Sequence, residues 1–335
     1  MKSLNKKKIL ALLCISVILV LTGCKNTDTK LDNMKVDTIE PTIPLETEEK
    51  TDSTESTRGT LAQETSGQVT QTISTNNGDV IIPVNPQRIV SFGNPGDLVA
   101  MGVIPVAGNS EARLFDGLLT EDNYTYLGPE DYEEIMALEP DLILVSYAPE
   151  QSVYDKLSAI APTVLTDAIS LSLPERIVLT GKIIGKVAEA EKAMADYEAQ
   201  AEAYKAQLIS AGIDNKTVTI MEGPYLFGDK YGRGADIVYN YLGFSAPPKL
   251  QEIFDNGDKY LEVSMEVLSE YCGDYLINSV WNGSEDLSQN DVWNSIPAVK
   301  EGRLIEVDFS DYFSNDLYTS SKQMKLLAET FLSLE

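Results

Sequence analysis

Histidine is missing from all 335 residues of the chain. That absence removes Ser-His-Asp and Cys-His catalytic triads, His-based zinc sites and His-ligated haem together. Basic residues are scarce as well: 26 Lys and Arg stand against 52 Asp and Glu, a formal charge of −26. Such a balance argues against nucleic acid and against an anionic membrane surface as partner. No G-x-x-x-x-G-K-[ST] phosphate loop occurs. Cysteine is limited to Cys14, Cys24 and Cys272, too few to suggest a disulfide framework.

What the chain does have begins at its amino terminus. Residues 1–8 carry four lysines, residues 9–21 form an apolar run, and "LTGC" follows. A basic segment and an apolar stretch of this length read as an export signal, too short to span a bilayer stably. Leu21-Thr22-Gly23-Cys24 matches the bacterial lipobox, in which the cysteine is diacylated and becomes the mature terminus. Two acyl chains anchor a protein where one does so marginally. The expectation is a signal peptide over 1–23 and a lipoprotein tethered through Cys24 to the outer face of the cell membrane. Residues 24–71, rich in Thr, Ser, Glu and Gln, bury too little surface to offset their ordering entropy and read as a disordered tether. Cys272 is then the one cysteine left in the folded part, and it reads as a small buried hydrophobe without chemistry.

From residue 72 onward, short β-branched runs alternate with helical patterns. "DVIIPV", "RIVSF", "VIPVAG", "DLILVSY" and "PTVLT" read as strands in a first lobe, 72–173. "KTVTIM", "DYLINSV" and "RLIEVDF" do so in a second, 211–335. Helices are expected over 96–102, 131–138 and 264–270. The fold class is α/β, with mostly parallel sheets covered by helices. Between the lobes, residues 173–210 hold Pro174 in a first helical turn, dense alanine and no later proline. They read as one helix of about 30 residues, roughly 45 Å long, a strut joining two lobes.

An internal repeat supports the two-lobe reading. "DYEEIMALEPDLIL" and "SMEVLSEYCGDYLI" align without gaps. Each starts on an N-cap residue, Asp131 or Ser264, places Glu133 or Glu266 two positions on, and reaches Asp141 or Asp274 eight residues later. Capping and the helix dipole explain each acidic residue singly; the shared spacing points to one unit used twice.

Ligands of open α/β sheets sit beyond the carboxyl ends of strands. Here those ends supply Phe92, Tyr147, Glu222 leading to Tyr225, Trp281 and Phe309, with Tyr312 and Phe313 close behind. The stretch "PYLFGDKYGRG" adds Tyr231 and Arg233 between glycines that let a backbone approach a ligand. Arg233 would present a planar fork to oxygens, while Tyr225 and Tyr231 offer flat faces and hydroxyls. The set suits a bulky ligand with clustered oxygens and an apolar rim.

With the lipobox, "NPQRIVSF", "MGVIPVAG", "EEIMALEPDLILVS", "LFGDKYGRGADIVYNYLG", "VSMEVLSEYCGDYLI" and "WNSIPAVKEGRLIEVD" in this order, the chain resembles the ferric-siderophore-binding lipoproteins of Gram-positive ABC importers. These belong to the class III solute-binding proteins. The resemblance implies two Rossmann-like lobes joined by a single long helix, with ligand in a shallow cleft and no enzymatic activity. It implies that Tyr225, Tyr231 and Arg233 contact a ferric hydroxamate, with Tyr231 where the family often has Trp. A carboxyl-terminal aromatic of the cleft falls on Tyr312 or Phe313. The resemblance also implies one permease-docking glutamate per lobe, matching Glu133 and Glu266.

No intrinsic cofactor or protein–metal bond is expected, because a ferric trishydroxamate already fills the six positions around iron. A triscatecholate, with about three negative charges, would need several cations to offset its desolvation. Only Arg233 and Arg113 are candidates. Hydroxamate is therefore preferred, while a ferric catecholate or citrate complex, cobalamin and haem stay open within the same fold. A surface hydrolase working through carboxylates is the alternative of a different class. The expected partners are a ferric siderophore and ABC permease subunits, with the protein acting as a monomer.

Overall fold

The computed structural model describes residues 69–75, 78–228 and 233–334. The signal segment, Cys24, nearly all of the expected tether and Tyr231 lie outside the described residues. All of those described belong to one compact unit, Gly59–Glu335.

Strands β1 (Thr70–Thr75) and β2 (Gly78–Pro83) form an antiparallel hairpin, so the first described strand begins two residues before the expected lobe boundary. The first lobe then contains β3 (Ile89–Phe92), β4 (Ala107–Gly108), β5 (Thr125–Tyr126), β6 (Leu142–Val145) and β7 (Thr163–Leu165). They line up as β5-β4-β3-β6-β7, all parallel. The second contains β8 (Val218–Glu222), β9 (Tyr225–Phe227), β10 (Tyr260–Glu262), β11 (Tyr275–Val280) and β12 (Leu304–Asp308), in the order β10-β9-β8-β11-β12. Here β8, β11 and β12 are parallel, whereas β9 and β10 are each antiparallel to the preceding neighbour.

The two sheets thus share one strand order, and in each the chain doubles back to the flank of its first strand. The repeated aspartates help to set that arrangement. Asp141 accepts the backbone N–H groups of Gln87 (2.7 Å) and Arg88 (2.9 Å), just before β3. Asp274 accepts the N–H of Thr217 at 2.8 Å, just before β8. In each lobe, one carboxylate at the start of the fourth strand pins the entry to the first.

The expected uninterrupted strut is corrected. Residues 173–210 form two helices, Leu173–Ile183 and Val187–Ala211. A capping box between Ser172 and Glu175 opens the first. Gly185, at φ +72°, ends it, with the Lys186 N–H on the Gly181 carbonyl at 2.7 Å and the Gly185 N–H on that of Lys182. This is the Schellman arrangement that glycine favours, and "IIGK" carried its signal. A Cβ on Gly185 would come within 2.9 Å of the Val84 carbonyl oxygen, so the break also seats the helix against the segment after β2. The link between lobes is the 25-residue second helix.

That helix buries Ala190, Met194, Tyr197, Ala201 and Leu208. It packs on the carboxyl-terminal helix Leu317–Ser333, which buries Met324, Leu327, Ala328 and Phe331. One apolar cluster runs from Ile89 and Leu98 of the first lobe through these helices to Val218 and Ile220 of the second. Cys272 sits partly buried against the second lobe's own core, and burial pushes its thiol up to about 12, as expected of an inert cysteine.

Candidate functional site

Strand order locates the cleft. In each lobe the switch falls between the first and fourth strands, β3 and β6 or β8 and β11, and ligands bind beyond the carboxyl ends at such points. Those ends carry Ser146 and Tyr147 in one lobe and Glu222 and Trp281 in the other.

Arg233 is the centre of the second lobe's contribution. Its backbone is left-handed at φ +56°, with Gly234 following at +79°. Its N–H donates to the Tyr312 carbonyl at 2.7 Å. The side chain grips Glu222 through a fork: Nε to Oε2 and Nη2 to Oε1, both 2.8 Å. Ser279 Oγ donates to the same carboxylate at 3.1 Å. Arginine and glutamate are only 15% and 14% exposed. Phe227, Phe313 and Phe309 surround the guanidinium at 4.9, 5.1 and 5.4 Å from ring centroid to Cζ. A planar, weakly hydrated cation is suited to such aromatic faces.

Around this box the aromatics form a wall. Trp281, 46% exposed, meets Phe309 edge-on at 6.3 Å, and Phe309 meets Phe313 at 5.1 Å. Tyr225 and Tyr260, diagonal neighbours across the β9–β10 pair, meet edge-on at 6.0 Å, and both are exposed. From the first lobe, Tyr147 is 41% exposed. Burial raises the pKa of its hydroxyl against the pull of Arg176 and, from the other lobe, of Arg233.

Several expected residues take other places. Phe92 is 4% exposed and belongs to the first lobe's core with Val90 and Ile143; its side chain points into the sheet packing, not the cleft. Arg113 pairs with Glu111 of its own lobe at 2.5 Å and with Asp311 of the second, so its guanidinium is engaged in ion pairs that tie the lobes together. Tyr312 is buried beneath Gly234, and Phe313, 48% exposed, is the one that faces outward. The fork expected to point at ligand oxygens is turned onto Glu222. Sequence reasoning placed Glu222 at a strand end without seeing it as that partner. It overlooked Tyr260 altogether, because the three-residue β10 has too little alternation to show.

A buried polar cluster joins the lobes near Tyr147. Arg176, 2% exposed, holds Asp97 at 2.7 Å and the Asn315 carbonyl at 2.7 Å. Asp97 in turn accepts the Leu317 N–H at 2.9 Å, and Asn94 donates to Asn315 Oδ1 at 2.8 Å. Asp316 caps the carboxyl-terminal helix through Thr319 while its Oδ2 is buried without a partner. Burial, reinforced by Asp97, pushes this carboxyl up to about 6.

Residues 126–310 match the profile of the family described as "Periplasmic binding protein". The chain is 32% identical over 273 residues to the iron(3+)-hydroxamate-binding protein YxeB of Bacillus subtilis, covering 76% of this chain and 83% of that one. The chain belongs to the periplasmic binding protein family. It is 26% identical over 254 residues to the "Probable siderophore-binding lipoprotein YfiY" of Bacillus subtilis, covering 68% and 76% of the two chains. Among solved structures, FhuD2 of Staphylococcus aureus with bound ferrioxamine B superposes with a TM-score of 0.64 at 26% identity, covering 74% of this chain and 99% of that one. These matches carry the α/β fold of two lobes, and they place the chain among binding proteins of ABC importers rather than enzymes.

Glu133 and Glu266 both lie exposed in the first turn of a short helix, Tyr132–Ala137 and Met265–Leu268. The Ser264 hydroxyl lowers the pKa of Glu266. Both are equivalent points of the repeated unit.

Proposed function

We propose that the protein captures a ferric siderophore of the hydroxamate type in the cleft between its lobes and delivers it to an ABC permease for iron uptake. One observation carries this reading: the cleft's arginine is neutralised by Glu222 inside an aromatic box. The site therefore offers flat apolar faces and an oriented polar pair with little net charge. A ferric trishydroxamate is close to neutral and its iron is already saturated, so it asks for shape, stacking and a few hydrogen bonds. A trianionic catecholate would ask for uncompensated cations. Cleft residues for this role are Tyr225, Tyr231, Arg233, Tyr147, Trp281 and Phe313, with Phe309, Phe227 and Tyr260 completing the wall.

Glu133 and Glu266 serve the permease side, presenting one carboxylate per lobe. Cys24 supplies the lipid anchor at the extracellular face, and the segment from Cys24 up to β1 tethers the folded part to it. The two lobes extend over 72–173 and 211–335 with the helical segment between them.

The test is a titration of the mature protein, following tryptophan and tyrosine fluorescence. Ferrioxamine and ferrichrome are expected to quench it, the iron-free compounds much less, and ferric catecholates weakly. Equal responses to iron-loaded and iron-free compounds, or tighter binding of a triscatecholate, would overturn the reading.

A further inference from the structure

A second cavity lies behind Trp281, on the face of the second sheet covered by the Met265–Leu268 helix. Its volume is about 370 Å³, room for about a dozen water-sized atoms at ~30 Å³ each. Met221, Val263, Leu268 and Leu287 make an apolar interior, and Ser284 and Glu285 stand among its lining residues beside Trp281. Trp281 is a wall of this cavity and of the aromatic cleft alike, and Gly223, two residues before Tyr225, lies against its ring.

Asn278 also lines the cavity. It is 7% exposed, and its side chain makes no hydrogen bond among the described residues. The amide opens onto the cavity, where a bound group can meet both its donor and its acceptor. No Lys or Arg lines the cavity, and Glu285 does.

We infer that this cavity is a subsite for an aliphatic arm of the siderophore that ends in an amine or amide. Methylenes would lie along Met221, Val263, Leu268 and Leu287. The polar end would meet the Asn278 amide, whose carbonyl accepts from an ammonium or N–H and whose NH₂ donates to a carbonyl. An acidic end would face Glu285 with no cation to offset it. The subsite thus selects open-chain hydroxamates with a free arm over ring-closed ones. This rests on the proposed function, since the arm must belong to a ligand whose iron complex fills the cleft.

The experiment compares three ferric complexes on the mature protein: open-chain ferrioxamine B, with its free aminoalkyl arm, the macrocyclic ferrioxamine E, and ferrioxamine B whose amine is capped as a succinamide bearing a carboxylate. The parent is expected to bind the open-chain amine at least tenfold tighter than the other two. Leu287→Trp, which fills the cavity, and Asn278→Leu, which removes the amide at similar volume, should each erase that preference. Both should leave the affinity for the macrocycle unchanged, which also reports that they fold. A parent with no preference, or a preference kept by both variants, overturns the subsite and leaves the proposed function standing. A parent that binds none of the three overturns both.

Discussion

The two lobes share one strand order, one aspartate latch and one exposed glutamate, yet they treat the cleft differently. In the first lobe, the chain leaves β3 through the helix Pro95–Ala100 before reaching β4, and Phe92 at the strand end turns inward. In the second, β8 reverses at Gly223 and Pro224 straight into antiparallel β9. That reversal sets Tyr225 beside Glu222, and β10 then sets Tyr260 opposite Phe227, with its ring against that of Tyr225. A tight turn in place of a helical crossover converts a strand end into an aromatic wall. The scaffold was used twice, while the aromatic wall was built on one side, with Tyr147 exposed on the other.

This asymmetry can be broken most severely at its centre. Arg233→Ala leaves Glu222 unpaired among aromatics, and losing one partner of a largely buried pair costs on the order of 3 kcal/mol. Denaturant unfolding should show that loss, and siderophore affinity should fall at least tenfold. Glu222→Ala with Arg233→Ala should recover part of the stability and none of the affinity.

The junction between lobes comes next. Asp316 has a carboxyl raised to about 6, so the folded state holds its proton more tightly than the unfolded chain, near 3.8. Its ionisation therefore destabilises the fold above pH 6, and the penalty disappears as pH falls through the window from 6 to 3.8. Asp316→Asn should be more stable than the parent at pH 7.5 by up to about 3 kcal/mol. The gap should close by about pH 4 in paired melting curves.

The shared latch offers a symmetric test. Asp141→Ala and Asp274→Ala should each cost about 1–2 kcal/mol, since each frees N–H groups at the entry to a first strand. Similar losses in thermal or denaturant unfolding would mark the two as one device; a loss confined to one lobe would end that equivalence. Smaller still, Trp281→Ala should weaken binding about fivefold and Tyr147→Ala about twofold, in line with stacked rings worth about 0.5–1.5 kcal/mol beyond their area. Glu133→Ala with Glu266→Ala should leave titrations unchanged while iron uptake by cells stops. Lost binding in that double variant would contradict a docking role.

Parts of this comparison are legible in the chain. β6, β8 and β11 show as continuous apolar runs because both their faces are covered, and the repeat around Glu133 and Glu266 shows because each unit ends on the aspartate that fixes strand entry by local chemistry. Tyr225, Trp281 and Arg233 could be picked out as strand-end or glycine-flanked residues. Phe92, at a strand end, and Arg113, in the turn Ala112–Phe115, could not be placed from local sequence for a common reason: which way a side chain turns depends on what packs against it from far along the chain. Phe92 met the core, and Arg113 met Asp311, 198 residues away. The break at Gly185 was readable from its helix-ending glycine, but the dense alanine around it weighed more.

The sequence by itself determined the two α/β lobes, the absence of histidine chemistry, the acidic charge and the equivalence of the repeated units, because periodicity, capping and composition act over a few neighbouring residues. Only the tertiary structure decided that Arg233 is held by Glu222, that Phe313 and not Tyr312 faces out, and that the carboxyl-terminal helix closes the junction with Asp97 and Arg176. Those outcomes depend on burial and on which polar groups meet after distant segments pack, and a buried charge takes whichever partner the fold brings to it.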